Sequence, residues 1–172
     1  MSQSVTGARG GGRQRGSGAA AGGPRERPSR GAGQSPASGS NWLFKEEPTH
    51  YGYDQLVADG GTQWSGVKNP LAQKHLRSVK RGDRIFYYHT GDEKAVVAVA
   101  AASSDAYPDP KDPSGKAHVV DVAPVRKLPR PVPLRAIKAD PAFASFPLTR
   151  MPRLSVMPVS DAEWARIEKM AR

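Results

Sequence analysis

All twelve aromatic residues of this chain fall after position 40, so any apolar core must be built from residues 41–172. Residues 1–40 are mostly Gly, Ser, Ala, Pro and Gln, with Arg9, Arg13, Arg15, Arg25, Arg27 and Arg30 set against a single acid, Glu26. So little apolar surface cannot offset an ordering cost of roughly 1–2 kcal/mol per residue. The sequence therefore predicts a disordered, Arg/Gly-rich basic arm over 1–40 and one folded domain over 41–172.

Within that domain, Asn41-Trp42-Leu43-Phe44 is a short apolar run that leads through charge to Pro48, as a first strand ending in a turn does. One face of that strand is expected to be core. Tyr53 to Asp59 reads as a short helix that Gly60-Gly61 stops, and Asn69-Pro70 opens a second one with Leu71, Ala72, His75, Leu76 and Val79 at helical spacing. Arg81-Gly82-Asp83 turns into the strand Arg84 to His89, and Gly91-Asp92 makes a hairpin to Ala95 to Ala100, whose unbroken apolar character places it centrally. A proline-rich loop over Tyr107 to Gly115 precedes a strand at Ala117 to Val125, and Pro129, Pro131 and Pro133 imply extended chain. Leu134 to Ala139 reads as a short helix and Leu154 to Val159 as the last strand. Ser160 caps a terminal helix from Asp161 to Ala171, with Glu163 at the capping-box position. The expected fold class is α+β, a small, mixed, mostly antiparallel β-barrel with flanking helices.

The formal net charge of +10 divides equally, since six Arg minus one Glu give the arm +5 and leave +5 for the domain. Two basic halves suit a polyanion-binding protein, because each neutralised phosphate releases condensed counterions. Tails of this composition are also common as plain solvated extensions. The chain has no cysteine, which removes disulfides, thiolate metal sites and a Cys nucleophile. His50, His75, His89 and His118 show no zinc-hydrolase spacing, and the chain has neither a G-x-S-x-G elbow nor a P-loop. Glu46 and Glu47 are adjacent on a strand and so point to opposite faces. Catalysis is disfavoured, and no cofactor or metal is expected. With no apolar leader and no run of ~18 apolar residues, the default is a soluble intracellular protein that is not membrane-bound, and a monomer is expected. The Arg/Gly/Ala-rich composition suggests a GC-rich bacterial source, hence cytoplasm or nucleoid, with the nucleus as the eukaryotic counterpart.

Two segments pair flat rings with short polar groups, Trp64-Ser65-Gly66-Val67-Lys68-Asn69 and Ile85-Phe86-Tyr87-Tyr88-His89-Thr90, and a third, Arg153-Leu154-Ser155-Val156, adds a cation and a hydroxyl near the end. Rings supply stacking and a fixed amide or hydroxyl reads a base edge, so the combination suits a nucleobase. Together with Trp42 to Pro48, Ala106 to Pro110, Val120 to Val122, Pro129 to Val132 and Trp164, these segments closely resemble, in order, the motifs of the EVE domain family. The resemblance covers nearly all of 41–170. It implies a PUA-like barrel, related in shape to YTH and SRA domains, and a non-catalytic reader that holds a flipped or splayed modified base of DNA or RNA, with a modified cytosine as the leading candidate. Extruding a base costs a few kcal/mol, and a methyl group discriminates by only about 1–3 kcal/mol, so weak, modification-dependent binding is expected.

The matching positions give candidate site residues. Trp64 is the candidate stacking wall or else a core tryptophan beside a tight turn; Asn69 is an edge-reading amide or else a helix N-cap. Gly66 and Val67 offer backbone groups where no side chain intrudes, and Lys45 offers a cation to base or phosphate. Tyr88, His89 and Thr90 are expected at the mouth, although a lone His is more often structural, and Ser155 and Val156 are expected at the floor. Lys68, Arg77 and Arg153 are candidates for the nucleic-acid backbone. The chain departs from the family pattern at Glu46 for Ser, Lys68 for Arg, Pro70 for an aromatic, Thr90 for Ser and Met157 for Gln. Lys for Arg loses the planar fork, and Met157 removes an amide, so the base preference need not be the family's. A protein-interaction module using Pro129 to Pro133 as a polyproline segment is the alternative, and an enzyme acting on a nucleotide the less favoured one.

Overall fold

The computed structural model describes residues 39–172, so the predicted basic arm, save its last two residues, lies outside the described residues. Strand β1 (Asn41–Glu46) leads into a single turn of helix, α1 (Pro48–Tyr51), and then α2 (Tyr53–Asp59), which ends at Gly60 in the left-handed conformation. Next come β2 (Thr62–Trp64), α3 (Pro70–Arg77), β3 (Arg84–His89), β4 (Ala95–Ala102), β5 (Tyr107–Pro108) and β6 (His118–Pro133). The chain closes with α4 (Leu134–Ala139), a 3-10 turn at Pro141–Phe143, α5 (Pro147–Arg150), β7 (Val156–Val159) and α6 (Asp161–Met170). No helix among the described residues is long and apolar enough to cross a membrane.

The strands form one seven-stranded sheet in the order β2-β6-β4-β3-β1-β7, with β5 on β6. The β1–β3 ladder is parallel and every other pairing is antiparallel. The apolar β4 lies in the interior of this order, as its composition predicts. The sheet curls strongly: Trp64 on β2, at one end of the order, packs on Phe44 of β1 and Tyr87 of β3, with ring centroids 5.2 and 5.5 Å away. Helix α3 contacts both β6 and β7 and so spans the gap between the two ends of the curl. Its buried Gln73 ties it there, donating from Nε2 to the Val67 carbonyl at 2.7 Å and accepting the His118 N–H at 3.0 Å. The architecture is the expected mixed, mostly antiparallel fold with flanking helices, its barrel taking the form of a strongly curled sheet.

Beyond the short β5, which takes up the first two residues of the expected loop Tyr107 to Gly115, two local expectations change. Both faces of β1 are core, because Leu43 is as fully buried as Phe44. Trp42 and Phe44 face the inside of the curl; Leu43 pairs in register with Phe86, on whose ring Trp164 of α6 stacks at 3.6 Å and 12°. Second, the strand expected to end at Val125 runs on to Pro133. Its register partners jump from Lys127 opposite Ala98 to Val132 opposite Val96, so Pro129 and Pro131 fall in a bulge. A bulge is where a residue without an N–H does no harm to a ladder. The proline segment is thus part of the sheet, with Val132 buried, rather than a free polyproline helix.

The entry to the fold is fixed by Asp83, 3% exposed, whose carboxylate accepts from Ser40 N, Trp42 Nε1 and Lys80 N at 3.0, 2.8 and 2.9 Å. The exit carries the predicted capping box: Glu163 N donates to Ser160 Oγ at 3.1 Å and Ser160 N to Glu163 Oε1 at 2.9 Å.

Candidate nucleic-acid interface

The loop between β2 and α3 is the part of the fold richest in the predicted site residues. Gly66 sits at φ 76°, a left-handed conformation that reverses the chain directly after Trp64. Ser65, Gly66, Lys68 and Asn69 are exposed, while Val67 packs partly against the core. Asn69 is the N-cap of α3: its Oδ1 accepts from Leu71 N at 2.9 Å and Ala72 N at 3.0 Å. The amide Nδ2 makes no hydrogen bond among the described residues. One side chain therefore supplies a cap and an unspent donor.

Asn69 also lines a cleft of about 320 Å³ with Leu71, Arg150, Met151, Pro152, Arg153 and Leu154. Its walls are apolar and its rim carries two exposed guanidinium groups, a composition suited to a planar, partly polar ligand attached to a polyanion. Of the residues predicted from sequence, it unites Asn69 and Arg153. Arg150, Met151 and Pro152 were missed; the run Arg150-Met151-Pro152-Arg153, a basic pair bracketing an apolar one, is the signal that marks them.

Lys45 borders this cleft from β1. Its Nζ donates to the Pro152 carbonyl at 3.0 Å and lies 5.7 Å from the Tyr88 ring centroid, its register neighbour across the β1–β3 ladder. The Lys45 N–H donates to the Ser155 carbonyl at 2.9 Å, so Ser155 is also adjacent, and Val156 is fully buried opposite Phe44. Burial, and secondarily repulsion from Lys138, lowers the Lys45 pKa; burial pushes the Tyr88 phenol up to about 12.

Trp64 is set apart from Lys45 and Tyr88 by strand alternation, because it packs on Phe44 and Tyr87, which occupy the other face of the same two strands. At 5% exposure it is a core residue with one edge reached from a smaller cleft of about 170 Å³ lined by Glu46, His50, Tyr51 and Ser65. The loop 65–69 connects the two clefts. His89 and Thr90 lie elsewhere. His89 Nε2 accepts the Tyr53 N–H at 3.1 Å, which leaves Nδ1 as the protonated nitrogen donating to Glu93 at 2.7 Å; Thr90 Oγ1 donates to Glu47 at 3.2 Å. Lys68 and Arg77 are exposed on the α3 side. Among the described residues no three of His, Asp or Glu gather to hold a metal ion.

Three kinds of comparison bear on this arrangement. Residues 40–170 match the family model described as the EVE domain. Chicken thymocyte nuclear protein 1 is 30% identical in an alignment 158 residues long that covers 72% of this chain; the chain spans 65% of that relative's length. Among solved structures, a protein of Rhodopseudomonas palustris determined by NMR superposes with a TM-score of 0.74 at 44% identity, covering 77% of this chain and 92% of its own. Human THYN1 in complex with DNA containing 5-methylcytosine superposes with a TM-score of 0.70 at 27% identity, covering 77% of this chain and 98% of its own.

Proposed function

Since this chain belongs to the EVE domain family, we propose that it is a non-catalytic reader of nucleic acid, which holds a modified base, a modified cytosine in the first instance, against the loop 65–69. The observation that carries this reading is that the human relative whose fold matches over nearly its whole length binds DNA containing 5-methylcytosine. In the reading, the base edge is met by the free Asn69 Nδ2 and the backbone of Gly66 and Val67. Leu71, Met151 and Leu154 give the apolar wall of the adjoining cleft. Trp64 roots the loop and offers its exposed edge, while Lys45, Tyr88, Ser155 and Val156 form the support behind Pro152. Lys68, Arg77 and Arg153 meet phosphates, and His89 and Thr90 hold the C-terminal end of β3 in place. The basic arm adds sequence-independent affinity, and the protein resides with its nucleic-acid target, in the nucleoid or the nucleus.

No side chains of this site form a nucleophile–base pair, so its chemistry is that of binding: stacking worth about 1–3 kcal/mol per base, plus phosphate contacts. A titration of the full chain with matched oligonucleotides carrying cytosine or 5-methylcytosine, as DNA and as RNA, tests the reading. Tighter binding of one modified strand supports it. Equal affinity for modified and unmodified strands of both kinds rejects it for this modification.

A further inference from the structure

The turn joining β3 to β4 places Lys94 at φ 42°, the one non-glycine residue among the described residues in the left-handed region. Glycine adopts that conformation without strain and lysine does not, so the turn tolerates an unsuitable backbone residue that brings a charge. The Lys94 carbonyl accepts the Leu134 N–H at 2.8 Å, which pins the turn to the start of α4. The pinned turn shares with α4 a surface cavity of about 300 Å³ lined by Lys94, Pro133, Leu134, Arg135 and Lys138, with Asp92 and Glu93 also on its wall. Glu93 is already engaged by His89 at 2.7 Å.

These cations continue the rim of the Asn69–Arg153 cleft. Helix α4 contacts α5, whose last residue, Arg150, lines that cleft, and Lys45, on which Lys138 acts repulsively, donates to Pro152 on the cleft wall. A run of positive charge therefore leads from Arg153 and Arg150 through Lys45 to Lys138, Arg135 and Lys94. None of the six takes part in an ion pair among the described residues. The fold does neutralise cations elsewhere: Arg126 pairs with Glu168, Lys127 with Asp54 and Arg166 with Asp140. Cations left unpaired and close together repel one another until a polyanion neutralises them.

We infer that Lys94, Arg135 and Lys138, together with Lys45, form a phosphate-contact site that leads the backbone of the bound strand away from the base cleft along α4. The inference rests on the base-reading function proposed above and deepens it. With Lys68 and Arg77 on the α3 side, the cleft lies between two cationic flanks, so its ligand is a base within a continuous strand and not a free nucleoside.

The test is binding of the full chain to a short DNA carrying one 5-methylcytosine, and to its unmodified counterpart, over a range of salt concentrations. Wild type, Lys94→Gly and the Lys94→Gly, Lys138→Gln double variant are compared, with Lys127→Gln as the control from a locally paired cation. Each lost phosphate contact flattens the log–log salt dependence by about one unit. Lys94→Gly is expected to melt no lower than wild type and to flatten the slope by about one, and the double variant by about two. The control leaves the slope unchanged, and the preference for the modified strand stays the same in all. Unchanged slopes in both variants overturn the inference, as does a lowered melting temperature for Lys94→Gly, which would make Lys94 a structural residue. Flattened slopes with no preference for the modified strand in wild type leave the phosphate site standing and reject base reading. Absence of any binding rejects both.

Discussion

Trp64 meets Tyr87 edge-on, ring centroids 5.5 Å apart and planes at 89°, so the residue that precedes the site loop is held by the core of the curled sheet. Removing the indole acts on the fold before it acts on any ligand. Trp64→Ala is expected to cost roughly 3–5 kcal/mol, as large-to-small core changes of aromatics do. Trp64→Phe, which keeps a ring against Phe44 and Tyr87, is expected to cost less than half of that. Urea denaturation checks both, with the midpoint falling and the slope unchanged; an Ala variant as stable as wild type would show that Trp64 is not a core residue.

Asn69 separates the two roles of one side chain. Serine caps a helix about as well as asparagine, so Asn69→Ser should keep stability within about 0.5 kcal/mol, whereas Asn69→Ala should lose about 1 kcal/mol. Both lack the amide donor. If Nδ2 reads a base edge, both variants lose the preference for the modified base equally while only the alanine variant melts earlier. Thermal melts beside oligonucleotide titrations distinguish this from a purely capping residue, for which binding would track stability.

The Trp164 indole stacks on Phe86 and under the Arg84 guanidinium, 4.4 Å from its ring, yet its buried Nε1 has no hydrogen-bond partner among the described residues. An unpaired buried donor costs about 1–3 kcal/mol, so Trp164→Phe exchanges lost ring area for a relieved penalty. The net change is expected within about 1 kcal/mol, against roughly 3–5 kcal/mol for Trp164→Ala. Guanidinium denaturation of the pair checks it, and a large loss in the phenylalanine variant would show that the indole N–H is satisfied.

Asp112 organises the loop between β5 and β6, accepting from Ala117 N at 2.7 Å, Ser114 N at 3.0 Å and Lys116 N at 3.1 Å. These bonds, that from Ala117 foremost, hold its pKa down to about 2 from the usual 3.8. The folded value lies below the unfolded one, so the carboxylate's contribution to the loop is fully present above about pH 4 and is lost as pH falls through 2. Amide exchange at Ala117 should stay slow down to about pH 4 and accelerate, relative to the intrinsic rate, between pH 4 and 2. Asp112→Asn should show the faster exchange at every pH.

The elements legible from sequence are those whose causes lie within a few residues. Ser160 and Glu163 announce their capping box three positions apart, Asn69-Pro70 announces the start of α3, and Gly60 stops α2 because it alone tolerates φ 75° there without strain. The continuous apolar run of β4 likewise states its own burial. The length of β6 was hidden, since Pro129 and Pro131 forbid a strand by local rules and only the bulge opposite β4 admits them. Equally hidden was the wall Arg150 to Leu154, which approaches Asn69 from eighty residues further along the chain.

By itself, the sequence determined most of the longer strands and helices and the family motifs they carry, because capping, alternation and turn chemistry act over short distances. Only the tertiary structure decided that β1 pairs parallel with β3, that Trp64 belongs to the core while Lys45 and Tyr88 occupy the opposite face, and that Asn69 meets Arg153 across a cleft. Those relations depend on how a curled sheet brings distant strands together. No local pattern records that closure.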